Sequence, residues 1–77
     1  DIETLNYEFS KKIKALHPNL TKTELEICSY LRMSLGTKDI ARLRGTSIYA
    51  VKKSRYRLRK KMDFSAKQDL DHYILSL

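Results

Sequence analysis

ARLRGTSIYAVKKSRYRLRKKM, residues 41–62, holds nine of the chain's sixteen Lys and Arg residues. A run this basic is either a solvated helix face or a surface built to meet something negative. The apolar residues inside it help to choose. Ala41 is followed by Gly45 four residues later and by Val51 six beyond that. A small side chain at Ala41 lets a second helix approach, Gly45 can take the left-handed geometry of a tight turn, and Val51 points back into the junction. Ser47 can cap a longer helix in which Val51, Leu58 and Met62 share one face, with Ser54 and Arg55 near its middle. Opposite them, Lys52, Lys53 and Tyr56 fall on an outward sector. No one of these residues is diagnostic; the reading rests on the set.

Working outward, charge is distributed unevenly. Residues 1–35 carry five positive and five negative charges, residues 36–62 carry ten positive and one negative, and residues 63–77 sum to −2, giving the net +7. Local excess points to a polyanion-binding face more strongly than diffuse basicity does. Seven cations stand among the ten residues 52–61, and their repulsion disfavours a helix unless solvent, salt or an anionic partner relieves it.

The flanking sequence reads as helices. Ile2, Leu5, Phe9, Ile13 and Leu16 recur at spacings of three and four, and Pro18 in HPN then pushes His17 out of helical geometry. Thr21 and Glu24 form a capping box ahead of a second stripe, Ile27, Cys28, Leu31 and Leu35, which Gly36 is expected to end in a left-handed conformation. Thr37 is expected to cap a short third helix with Ile40, Ala41 and Leu43. A fifth helix is expected from Ser65, paired with Gln68 in another capping box, with Leu70, Ile74 and Leu77 on its apolar side and Tyr73 beside them. Strand-like alternation and repeats are absent. The expected fold is all-α, a small helical bundle divided into an N-terminal amphipathic helix and linker over 1–19 and a helix-turn-helix domain over 20–77.

Seventy-seven residues suffice for one small domain with a modest core. No apolar run is long enough to span a bilayer and no secretory signal pattern opens the chain, so a cytoplasmic location is expected. A start at DIETLNYEF without an initiating methionine is expected of a fragment or a processed protein. His17 and His72 have no partner at metal-ligand spacing, and Cys28 in its apolar stripe reads as an inert buried thiol. Neither a glycine-rich phosphate loop nor a nucleophile–base pair occurs, so no enzyme, cofactor or metal is expected.

The sequence LTKTELEICSYLRMSLGTKDIARLRGTSIYAVKKSRYRLRKKM resembles the LuxR-type helix-turn-helix domain of bacterial transcription regulators, a similarity that covers roughly residues 20–64. Leu20, Thr21 and Glu24 match the family's opening Leu-Thr and following glutamate. Asp39, Ile40 and Ala41 match its acidic residue plus Ile-Ala, and Ser47, Val51 and Lys52 match the serine, valine and basic residue around the recognition helix. The N-terminal stripe with LHPNLTKTE is similar to the C-terminal portion of regulators from the Bacteroidetes group, where such a helix links a sensor or response-regulator receiver region to the DNA-binding module. The sequence departs from the pattern at three positions. Arg44 replaces the usual apolar residue before the turn, with Leu43 expected to substitute for its packing; Ala50 stands where a threonine often meets phosphate; and Ser54 stands where histidine is frequent.

The resemblance implies sequence-specific binding of double-stranded DNA in transcription regulation, by a domain that pairs across a partly symmetric site. Residues 48–62 would be the recognition helix, with Lys52, Lys53 and Tyr56 approaching bases or nearby phosphates. Lysine can donate to guanine acceptors or serve as a phosphate counterion, so both roles stay open at Lys52 and Lys53. Tyr56 either contacts DNA or packs in part; Tyr49 either stacks near sugar or thymine or seals the turn. Ser47 and the helix N-terminus are placed to meet phosphate. Arg55, Arg57, Arg59 and Lys60 are candidates for the phosphate backbone, and Arg42 and Arg44 for flanking phosphates. The alternative is a helical protein-interaction or dimerisation domain with nonspecific nucleic-acid affinity, for which the first and fifth helices supply seams.

Overall fold

A computed structural model of the chain describes residues 2–65 and 67–77, with side chains described from residue 7 onward. It is built from five helices: α1 (Ile2–Leu16), α2 (Lys22–Arg32), α3 (Thr37–Arg44), α4 (Ile48–Lys61) and α5 (Leu70–Ser76). No strand occurs among the described residues.

The expected capping box starts α2. Thr21 Oγ1 accepts from the Glu24 amide at 3.2 Å, and the Glu24 carboxylate accepts from the Thr21 amide at 2.8 Å. Ser47 caps α4 by accepting from the Ala50 amide at 3.0 Å. Three helices end alike, each with a left-handed residue closing a six-residue loop of backbone bonds. At the end of α2, Ser34 (φ 62°) sits below a Leu35 N–H to Tyr30 carbonyl bond. At the end of α3, Gly45 (φ 63°) sits below a bond from Thr46 to Ala41, and after α4, Asp63 (φ 57°) sits below one from Phe64 to Arg59.

Several expectations are corrected here. The left-handed residue after α2 is Ser34, because α2 ends at Arg32, too early for Gly36 to serve; Gly36 itself is extended (φ −80°). Gly36, not Thr37, is the N-cap of α3: its carbonyl takes the Ile40 amide at 3.0 Å, and Thr37 is already the first helical residue. The Ser65–Gln68 pair closes a turn instead of opening a helix. The Gln68 side chain accepts from the Ser65 amide, but the Ser65 and Gln68 carbonyls both turn to the Arg59 guanidinium, at 2.9 and 2.6 Å. Helix α5 begins five residues later, where Asp69 Oδ1 accepts from the Asp71 and His72 amides.

The left-handed positions yield a stability prediction. A residue with a β-carbon pays about 1–2 kcal/mol in this conformation, offset in part by glycine's greater freedom when unfolded. Ser34→Gly is therefore expected to stabilise the fold by about 0.5–1 kcal/mol. Gly45→Ala is expected to destabilise it by a similar amount, through backbone strain alone, since nothing lies within 4 Å of the added carbon. Urea titration of the two variants measures both.

Helix α2 is central, packing against α1, α4 and α5, while α3 makes its main contact with α4. The core joins Phe9 and Ile13 of α1 to Leu20, Ile27, Cys28 and Leu31, then to Ile40, Ala41, Val51, Leu58, Met62, Leu70 and Ile74. The radius of gyration, 11.8 Å, matches the roughly 11.5 Å expected of a folded domain of this length, so α1 lies on the bundle. Ile2 and Leu5, expected in the α1 stripe, lie outside the residues whose side chains are described. Leu16, expected in the same stripe, is exposed: α1 ends there, and Leu20 continues the burial from the far side of the Pro18 turn. That turn is tied to α5 by a 2.8 Å hydrogen bond between His17 Nε2 and the Tyr73 hydroxyl, with Phe64 edge-on to the Tyr73 ring. Burial lowers the His17 pKa, and burial first, with Cys28 second, raises that of Tyr73, so the site favours the neutral form of each partner.

Candidate nucleic-acid interface

Helical periodicity divides α4 into three bands. Val51, Leu58 and Met62 are buried, as their spacing requires. Ser54 and Arg55 are half-buried beside them. On the opposite side Tyr49, Lys53, Tyr56 and Lys60, spaced four, three and four residues apart, form an exposed row that alternates aromatic and cationic side chains. Tyr49 is 73% exposed, which places it outside the turn instead of sealing it, and Tyr56 is 58% exposed. Lys60 Nζ lies 5.0 Å from the centre of the Tyr56 ring, a cation–π arrangement on the open surface. Lys52 and Arg57 flank the row and are exposed too.

The nine cations of residues 41–62 are not equivalent. Four are engaged by the protein itself. Arg44 pairs with Glu26 on α2. Arg55 Nη1 lies 2.9 Å from Asp71 Oδ1 on α5, an ionic contact without hydrogen-bond alignment to an oxygen that is closed off from solvent. Arg59 donates to the Ser65 and Gln68 carbonyls as described. Lys61 Nζ donates to Glu24 Oε1 at 2.6 Å and to the Asn19 carbonyl at 3.2 Å. The remaining five, Arg42, Lys52, Lys53, Arg57 and Lys60, are exposed and take part in no ion pair among the described residues.

Glu24 is the member of this arrangement that sequence spacing missed. Only 4% exposed, it presents one oxygen to both the Thr21 amide and Lys61. Burial alone would raise its pKa, but the Lys61 ammonium and the Thr21 donors outweigh burial and hold the carboxyl below its ordinary value. The local box was visible in the sequence. The partner thirty-seven residues away was not.

Arg44 and Leu43 exchange the roles expected of them. Leu43 is exposed, while Arg44 is half-buried with its guanidinium on Glu26. The short side chains of Ala50 and Ser54, with Thr23, Thr46 and Arg44, leave a hollow of about 160 Å³ between the starts of α2 and α4. Ser47 is exposed; its hydroxyl oxygen accepts from the Ala50 amide, a bond that does not use its O–H donor. Cys28 is fully buried, and burial first, with the Glu24 charge second, pushes its thiol up to about 12, which keeps it unreactive. Among the described residues no group of three or more His, Cys, Asp or Glu converges as a metal site, and no helix is long and apolar enough to cross a membrane.

Chemically, the open side of α4 offers ammonium and guanidinium donors, two phenols and no carboxylate between Ser47 and Met62. Such a surface suits phosphate oxygens and the acceptor edges of bases. No protein-family model, no curated protein and no solved structure matches this chain.

Proposed function

We propose that this chain is a sequence-specific double-stranded DNA-binding domain of a transcription regulator, with α3, the Gly45 turn and α4 acting as a helix-turn-helix and α4 as its recognition helix. The observation that carries this reading is the exposed Tyr49–Lys53–Tyr56–Lys60 row, flanked by Lys52 and Arg57 and in no ion pair among the described residues. Lys52, Lys53 and Tyr56 reach into the major groove; Arg42, Arg57 and Lys60 follow the phosphates. Arg44, Arg55 and Arg59 act mainly by holding α3, α4 and α5 in place. The LuxR-type resemblance supports pairing of two copies on a partly symmetric site, under control of an upstream sensor or receiver region.

The testing experiment is selection from randomised duplex DNA at near-physiological salt. An enriched, partly symmetric motif is expected, and binding to it should survive an equal mass of nonspecific competitor. Salt-sensitive binding with no enriched motif would reduce the domain to a nonspecific polyanion binder, and a preference for RNA would overturn the reading.

A further inference from the structure

Helices α1 and α2 leave an open groove of about 380 Å³ along their junction. Tyr7 and Leu25 supply its apolar lining, and Tyr7 is 68% exposed. Three lysines also line the groove, Lys11 and Lys14 of α1 and Lys22 of α2. The one carboxylate in the lining, Glu26, is already paired with Arg44. None of the ion pairs among the described residues involves the three lysines, so the rim carries net positive charge.

A DNA backbone would answer the charge of this groove but offers only the small faces of its sugars to cover Tyr7 and Leu25. A purely apolar helix would cover the floor and leave three cations unanswered. One chemistry meets both demands: a helix with apolar side chains three and four residues apart on one face and carboxylates on either side of them. We propose that the α1–α2 groove is a docking site for an acidic amphipathic helix of a protein partner, its apolar side chains on Tyr7 and Leu25 and its carboxylates on Lys11, Lys14 and Lys22. This proposal is independent of the reading of α4.

The probe is a synthetic helical peptide with leucine and phenylalanine on one face and glutamate on the other, titrated into the whole chain and followed by amide chemical shifts. Saturable shifts centred on Tyr7, Leu25 and Ser29 are expected. Lys14→Glu with Lys22→Glu should weaken peptide binding about tenfold or more, since both charges are reversed on an exposed rim. Lys52→Ala with Lys53→Ala should leave it unchanged. Shifts centred on α4, or equal binding by a peptide with serine at every apolar position, would reduce the effect to bulk charge and overturn the proposal, as would no saturable binding. Should the Lys14→Glu/Lys22→Glu variant lose duplex affinity by a larger factor than peptide affinity, the groove would belong to the DNA surface instead. The shift map of the unaltered chain decides the matter even where a variant folds poorly.

Discussion

Replacing Lys52 and Lys53 together with alanine is expected to lower affinity for the selected duplex by about two to three orders of magnitude, with stability changed by less than about 0.5 kcal/mol. Each lysine that donates to a base edge or phosphate inside a desolvated groove contributes on the order of 1–3 kcal/mol, and both sit on the open side of α4, away from Val51 and Leu58. Salt dependence makes the expectation sharper. Binding through the five unengaged cations gives a slope of log affinity against log salt no steeper than about −4.5 per protomer, whereas use of all nine would approach about −8. Anisotropy titrations across a salt series, on the parent and the double variant, measure both quantities. A parent slope near the steeper value would mean that further cations meet the phosphates, either Arg44, Arg55, Arg59 and Lys61 released from their protein partners or exposed lysines outside residues 41–62. Unchanged affinity in the double variant would remove α4 from the interface.

The largest expected effect on stability lies at Glu24. Glu24→Ala removes the reciprocal cap of α2 and strips Lys61 of its carboxylate, for a combined cost of about 3 kcal/mol. That is a large share of the roughly 4–12 kcal/mol available to a domain of this length. Glu24→Gln keeps an acceptor for the Thr21 amide while losing the charge, and should cost about half as much. Because the folded pKa of Glu24 is depressed, the contribution of its charge is fully present above the unfolded value of 4.5 and is lost as pH falls through the folded value. Unfolding free energies measured from neutral pH into the acid range are therefore expected to fall less steeply for Glu24→Gln than for the parent. Identical acid limbs for the two proteins would show that the Lys61 contact is electrostatically idle.

These two sites mark what was legible in the sequence. Stripes at spacings of three and four located all five helices, and short-range caps at Thr21 and Ser47 gave two of their starts, because these signals act over a single turn. Local signals failed where a distant group intervened. Ser65 and Gln68 carry the residues of a capping box, yet Arg59 takes their carbonyls and delays α5 to Leu70. Gly36 has the residue type for a left-handed stop, but α2 had already ended over Ser34. For the candidate interface, the sequence located the basic face and its outward sector. It could not rank the cations, since a count of charges treats Lys61, bound to Glu24, as the equal of Lys60, which faces solvent.

The separation of α4 into an anchored side and an open side has a bearing on how such a domain can diversify. Arg55, Arg59 and Lys61 fasten the helix to α5, to the turn before it and to the start of α2. Tyr49, Lys53, Tyr56 and Lys60 belong to no core cluster. Their identities can thus drift, or be randomised in a library, without eroding the foldedness of the scaffold.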